Sequence, residues 1–157
     1  MQIRNAEKKD TQQILNLLRQ VLEVHAAIRP DLFIPGTTKY TADELNSIFT
    51  NPSRQTYVAV DENDAVVGYA FCEIKEHMQS NNIVPHTELY IDDLCVDRSA
   101  RGRQIGKQLF LHVQETARQM GCYEITLNVW AGNDGARAFY DKMGMKPQST
   151  HMELILR

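Results

Sequence analysis

The chain has 157 residues, of which 43% are hydrophobic, 24% charged and 8% aromatic, with a formal net charge of −3. That length is the usual size of one domain and suffices for a real core without disulfides or metal, so residues 1–157 are expected to form a single domain. Eight glycines and five prolines exclude collagen-like and low-complexity chains.

The longest apolar stretch, Ala65 to Cys72, falls far short of the roughly 20 residues that span a bilayer. The start, Met1-Gln2-Ile3-Arg4-Asn5, has no apolar segment behind it, so a cytoplasmic protein without a membrane partner is expected. The three cysteines (Cys72, Cys95, Cys122) form no Cys-x-x-Cys pair, which argues against disulfides and a thiolate zinc site. The five histidines include no pair at i, i+4, so no helical metal site is expected. A pI of about 5.9 is also poorly suited to a nucleic-acid partner, which requires a large basic face.

In chain order, Ile3-Arg4 reads as a short first strand. Asp10 then opens a helix with capping-box spacing to Gln13, and Ile14, Leu17, Leu18, Val21 and Leu22 fall on one face. Pro30 and the Pro35-Gly36 turn end that region, with a second helix near Ala42 to Phe49. Thr56 to Val60 and Ala65 to Glu73 flank the turn residues Asp61-Glu62-Asn63-Asp64, which predicts a hairpin of two buried strands.

Thr87 to Val96 is the next strand. Leu89 and Ile91 share one phase of the two-residue repeat, and Leu94 and Val96 share the other. One extra residue near Asp92-Asp93 would return all four to one face, as a β-bulge does. A central strand buried on both faces would show the same pattern. From Gln104 a long helix carries Ile105, Leu109, Val113, Ala117 and Met120 on one stripe and stops at Gly121. Tyr123 to Val129 is a further strand. Asn133 caps a last helix closed by Gly144, and Lys146 to Leu156 reads as one or two closing strands. The order is β-α-α-β-β-β-α-β-α-β, an α/β domain around a mixed sheet.

The stretch from Val96 to Lys107 joins a strand to a strongly periodic helix through a loop containing Gly102 and Gly106. Unpaired backbone N–H groups at a helix start attract anions, and glycine lets a phosphate approach the backbone. Arg98, Arg101, Arg103 and Lys107 add positive charge where the helix dipole is already positive, which disfavours the isolated helix. A bound polyanion explains these charges better than helix stability does, although surface charge runs are often only solvated turns. The spacing fits neither the nucleoside-triphosphate loop nor the dinucleotide fingerprint.

These residues resemble the GNAT superfamily of acyl-CoA-dependent N-acyltransferases. Its Arg/Gln-x-x-Gly-x-Gly/Ala signature reads here Arg101-Gly102-Arg103-Gln104-Ile105-Gly106, with Gln104 at the first signature glycine. The stretch Asn133 to Pro147 is similar to the family's Asn-x-x-Ala-x-x-Phe-Tyr-x-x-x-Gly-Phe block, with Met145 at the usual aromatic position. The resemblance implies a mixed sheet of about six or seven strands with a bulge splay at the fourth. It also implies acetyl-CoA as co-substrate, no metal, and a homodimer.

Carried over residue by residue, it implies that the backbone of Arg101, Gly102, Arg103, Gln104, Ile105, Gly106 and Lys107 holds the pyrophosphate. Leu94, Cys95 and Val96 would pair with the pantetheine arm, Asn133 and Ala136 would border it, and Tyr140 would sit beside the sulfur as general acid. Tyr140 reads equally as a core aromatic beside Phe139 and Met143. Asp92 or Asp93 is the candidate general base, with Glu88 behind them, or else a solvated acidic strand edge. These acids would favour a cationic amine. His25 and Phe33 lie where the family forms its acceptor wall, while Cys95 and Trp130 read as packing residues. The implied activity is acetyl transfer to a primary amine of a small molecule or peptide. A module that binds acetyl-CoA without turnover is the alternative.

Overall fold

A computed structural model describes residues 1–157. Five strands, β1 (Gln2–Asn5), β2 (Arg54–Val60), β3 (Val66–His77), β4 (His86–Val96) and β5 (Glu124–Leu127), form one sheet in sequential order. The first four are antiparallel, and β5 joins β4 in parallel. Four helices cover the sheet: α1 (Thr11–Ile28), α2 (Ala42–Phe49), α3 (Ile105–Gln119) and α4 (Asp134–Lys142). No helix is long and apolar enough to cross a membrane.

Two apolar clusters lie on opposite faces of the sheet. Ile14, Leu17 and Leu18 of α1 and Leu45 and Ile48 of α2 pack on Val58, Val60, Tyr69 and Phe71. Ile105, Leu109, Phe110 and Val113 of α3 pack on Tyr57, Ala59, Ala70 and Cys72, with Phe139, Tyr140 and Met143 of α4 beside them. β2 and β3 thus alternate between two buried faces, which is why their sequences run nearly continuously apolar. The turn after β2 closes with Asp64 in the left-handed region (φ 60°) and the Asp61 carboxylate accepting from Asn63 and Ala65 N–H.

The sheet has five strands rather than six or seven, because the segment read as closing strands, Lys146 to Leu156, joins no ladder. A second correction concerns the start of α1. Asp10 does occupy the N-cap position, but its side chain does not cap α1 and no box forms with Gln13. Arg4 takes both Asp10 oxygens at 2.8 and 3.0 Å, and the Glu7 N–H donates to the same carboxylate, so the capping box lies one turn earlier. With both oxygens committed to the Arg4 guanidinium and the Glu7 N–H, the buried carboxylate is not free for the first turn of α1. Gln13 instead accepts from the Val66 N–H at 2.8 Å, tying α1 to the start of β3.

The register of β3 against β4 decides the phase question. Phe71 faces Asp93 and Cys72 faces Ile91, so Asp92 is an extra residue, a β-bulge. Leu89, Ile91, Leu94 and Val96 accordingly all pack on the α3 side, and Cys95 on the α1 side. Gly68, opposite Val96, is required at this crossing: a Cβ there would lie 2.9 Å from the Cys95 carbonyl oxygen and 3.1 Å from Leu109 Cδ1. Gly68→Ala is therefore expected to cost about 1–3 kcal/mol through overpacking against backbone. Thermal unfolding checks this, and an unchanged midpoint would refute it.

Candidate active site

The bulge has a direct consequence for the neighbouring strand. β4 and β5 pair only from Glu88↔Glu124 to Ile91↔Leu127, and from there to Val96 β4 is paired with β3 only. β5 ends at Leu127, and the backbone of Asp92 to Val96 has an edge with no β5 partner. Such an edge can accept an extended ligand as an added strand.

At the end of that edge, Asp97 turns the chain. Its carboxylate accepts from the Ser99 N–H and hydroxyl, and Ala100 packs beneath α3. From Arg101 through Lys107 no backbone N–H donates to another backbone group, and no side chain caps α3. These donors converge on a helix start, whose dipole favours an anion. Of the four basic residues, Arg98 is paired with Glu23 at 2.6 Å and belongs to the α1 contact. Arg101 holds the Val96 carbonyl at 3.3 Å, which leaves Arg103 and Lys107 exposed beside the amides.

Gln104 stands in the left-handed region at φ 65°, and Gly102 at φ 79°. The loop thus keeps a conformation suited to glycine even though glutamine occupies the position, and the family's glycine there has a backbone reason. An L-residue in that region costs about 1–2 kcal/mol, partly offset in glycine by its larger unfolded-state entropy. Gln104→Gly is expected to stabilise the chain by about 0.5–1 kcal/mol, raising the melting temperature by about 1–4 °C. A lower melting temperature in the variant would count against the strain. Gly106 faces Phe139 and Val96 at ordinary contact distance, so α3, α4 and the end of β4 meet closely there.

On α4, the Asn133 side chain caps the helix by accepting from the Ala136 N–H at 3.3 Å. This places Asn133 and Ala136 at the helix start and turns Tyr140 inward. Tyr140 lies against Phe139 and Phe110, with ring centroids 5.0 and 6.3 Å away. The packing reading of Tyr140 is met, because its ring lies in the core cluster. Burial pushes the phenol well above its ordinary pKa, and the negative charge of Asp93 adds to the shift.

The two aspartates at the bulge differ sharply. Asp92 is held by Lys39 at 2.8 Å and by the Tyr40 hydroxyl, so its charge is compensated. Asp93 accepts from the Tyr69 hydroxyl at 2.7 Å, and burial pushes it up to about 6. The Tyr69 bond, Lys39 and the Leu94 N–H oppose that rise, while Asp92 adds to it. Cys95 is buried beside the Leu17 carbonyl, and burial pushes its thiol up to about 12, the environment of a packing residue and not of a nucleophile.

His25 and Phe33 come together, with ring centroids 5.2 Å apart, and Phe33 meets Trp130 edge to face at 5.5 Å. Trp130, read from sequence as a strand-end aromatic, is the third member of this cluster, and Arg29 lies 5.7 Å over its ring. Burial lowers the His25 pKa, and Lys39 lowers it further, so His25 stands near the residue that holds Asp92.

Glu88 is not brought to the bulge. It sits in the paired part of β4 and is occupied by His77 at 2.7 Å and Thr126 at 2.8 Å. Here the register adds a grouping that helical spacing could not reveal: His77 faces His86, and ligand atoms of His77, His86 and Glu88 lie within 4.8 Å of one another. The site residues that sequence reasoning missed are Lys39, Tyr40 and Tyr69. Lys39 and Tyr40 lie more than 50 residues from Asp92, and no local pattern links them.

The chain is 32% identical to the 5-NmdU N-acetyltransferase of Pseudomonas phage PaMx11, over 72% of this chain and 76% of that protein. It is 35% identical to the glucosamine 6-phosphate N-acetyltransferase of Arabidopsis thaliana, over 40% of each. Among solved structures, a variant of the BH1408 protein from Bacillus halodurans superposes with a TM-score of 0.96 at 29% identity, covering 100% of both chains. The sequence profile of the acetyltransferase (GNAT) family matches residues 20–145, and the chain belongs to that family.

Proposed function

We propose that the chain transfers an acetyl group from acetyl-CoA to a primary amine of a small molecule or peptide, by direct attack with both substrates bound. The observation that carries this reading is the continuity of two features. The unpartnered edge of β4 at Leu94, Cys95 and Val96 leads directly to the free N–H groups of Arg101 to Lys107. An extended arm ending in a pyrophosphate needs that sequence of contacts: strand-like pairing followed by an anion cradle. Asn133 and Ala136 border the arm from α4.

An aliphatic amine is mostly protonated at pH 7, so a base must take a proton before it can attack. Asp93 takes that part in this reading, since a carboxyl that titrates near 6 is ionised at pH 7 yet still has useful basicity. Asp92, held by Lys39 and Tyr40, fixes the bulge and supports Asp93 through its charge. A Leu94-region amide polarises the thioester carbonyl. Tyr140 gives its proton to the departing sulfur. His25, Phe33 and Trp130 form the acceptor wall, and Glu88 contributes only a distant field.

Calorimetric titration with acetyl-CoA, using ADP as control, tests the reading. Micromolar binding of acetyl-CoA, much tighter than that of ADP, is expected. No detectable heat would overturn the reading. Binding without release of coenzyme A in the presence of primary amines would leave a sensor module in its place.

A further inference from the structure

At the end of β4 away from the bulge, strand register sets four polar side chains on one face of the sheet. His77 faces His86, the next alternate residue of β4 is Glu88, and Glu88 faces Glu124 across the parallel pair with β5. Residues two apart on a strand share a face, so all four project from the side opposite Leu89. The two imidazoles are stacked, with ring centroids 4.5 Å apart and planes at 16°. Ligand atoms of His77, His86 and Glu88 lie within 4.8 Å of one another.

Hydrogen bonding accounts for only part of this group. His77 Nε2 donates to Glu88 Oε2 at 2.7 Å, and Thr126 donates to Glu88 Oε1 at 2.8 Å. Gln148 donates to Glu124 Oε2 at 2.9 Å. His86 Nδ1 lies 2.8 Å from the Val84 carbonyl oxygen, which can only accept, so that nitrogen carries the proton. In the neutral ring the lone pair is then on Nε2, and Nε2 stands 3.8 Å from Glu124 Oε1. Two acceptors meet there with no proton between them. A cation supplies what they lack.

Two imidazoles with carboxylates are a donor set for zinc-type ions, whereas calcium and magnesium need oxygen ligands throughout. An imidazole that ligates a metal is usually oriented by a hydrogen bond from its other nitrogen, which Val84 provides for His86. Ligand atoms around tetrahedral zinc lie about 3.3 Å apart, so the gap of 3.8 Å is nearly closed already. Side-chain rotation closes the wider separations. The side chains of His77, Glu88, His86 and Glu124 are 39%, 14%, 26% and 24% exposed, which lets an ion reach them from solvent.

We propose that His77, His86 and Glu88, with Glu124 as fourth ligand, bind a divalent transition-metal ion of the zinc type. The proton on His77 Nε2 passes to Nδ1 through solvent, which frees Nε2 for the ion. The bound ion ties β3, β4 and β5 together and closes the base of the loop 78–85. A strand rises about 3.3 Å per residue, so Glu88 lies roughly 13 Å from Asp92 and the ion takes no part at the bulge. Its role is to clamp the sheet, and the expectation of a metal-free acetyl transfer is unaffected by it.

Zinc chloride titrated into the chelator-treated full chain tests the site without reference to any activity. One equivalent should bind with a micromolar or lower Kd. At zinc about 100-fold above Kd the melting temperature should rise by about 5–10 °C, and magnesium should leave it unchanged. The cobalt-loaded chain should show visible d–d bands without thiolate charge transfer, which sets Cys72, Cys95 and Cys122 aside as ligands. His86→Ala should weaken zinc binding by at least about 10-fold, while His151→Ala should not alter it. No zinc binding would overturn the proposal and leave His86 and Glu124 as an ion pair of the charged ring. A thiolate spectrum, or equal affinity in His86→Ala, would overturn it too. If His86→Ala fails to fold, the stoichiometry and cobalt spectrum of the parent chain still decide.

Discussion

Asp93→Asn is expected to lower kcat/KM by about 10²–10⁴-fold, the range for losing a positioned general base, and at the same time to make the protein more stable. The carboxyl titrates near 6 in the folded chain because burial disfavours its charge, whereas in an unfolded chain it titrates near 3.9. Below about pH 4 both states are protonated and the site costs nothing. As pH rises from there through 6, the folded state must give up a proton it holds more tightly than the unfolded state does, and stability falls. At pH 7 the ionised buried carboxylate costs up to about 3 kcal/mol. Asparagine has no charge to bury and still offers an oxygen to the Tyr69 hydroxyl.

Urea unfolding of parent and variant at pH 5 and pH 7 should therefore show a difference that grows with pH. The rising limb of kcat/KM against pH, centred near 6 in the parent, should be missing in the variant. Full activity in the variant would remove Asp93 as the base. Equal stabilities at pH 7 would refute the buried charge. Asp92→Asn should behave differently, because it releases Lys39 and the Tyr40 hydroxyl from their partner and so loosens the bulge without relieving a buried charge.

Tyr140→Phe is the second large effect, expected to lower kcat by about 10²-fold or more with acetyl-CoA affinity unchanged. The substitution keeps the ring against Phe110 and Phe139, so the melting temperature should stay within a few degrees. Burial raises the phenol's pKa, so it remains protonated across the working range. That shift does not disqualify it as an acid, because the same apolar surroundings destabilise a thiolate formed beside it. The proton is then shared between two groups penalised alike. Calorimetry with acetyl-CoA and the rate of coenzyme A thiol release separate the possibilities. Equal turnover would leave Tyr140 as a packing residue only, and weakened binding with intact kcat would make it a wall of the cofactor cleft.

Much of this was readable in the residues themselves. The helices at Ala42 to Phe49 and from Gln104, the hairpin around Asp61 to Asp64, the Asn133 cap and the phase break at Asp92-Asp93 are local patterns. Local patterns are set by backbone geometry within a few residues, so a single sequence displays them. The signature from Arg101 to Gly106 marked a glycine-suited turn into a helix start for the same reason. What the sequence could not rank was Asp92 against Asp93, since adjacent identical side chains differ only in what the fold brings to each. Lys39 and Tyr40 arrive from the loop before α2, Tyr69 from β3, and burial does the rest.

Glu88 and the tail show the opposite failure. Glu88 is close to the bulge in sequence, but a strand extends about 3.3 Å per residue, so four residues carry it out of the site and into the hands of His77 and Thr126. Lys146 to Leu156 has the alternation of a strand, and that alternation is real. Whether a strand is used, though, depends on a partner edge, which is a property of the assembled sheet and not of the segment. Sequence alone therefore determined the helices, the five strands that do pair, their faces and the glycine-suited turn into α3. Tertiary structure decided which charges are buried, which aspartate pairs with Lys39 and which with Tyr69, and which segment remains unpaired, because those depend on neighbours that only folding brings within reach.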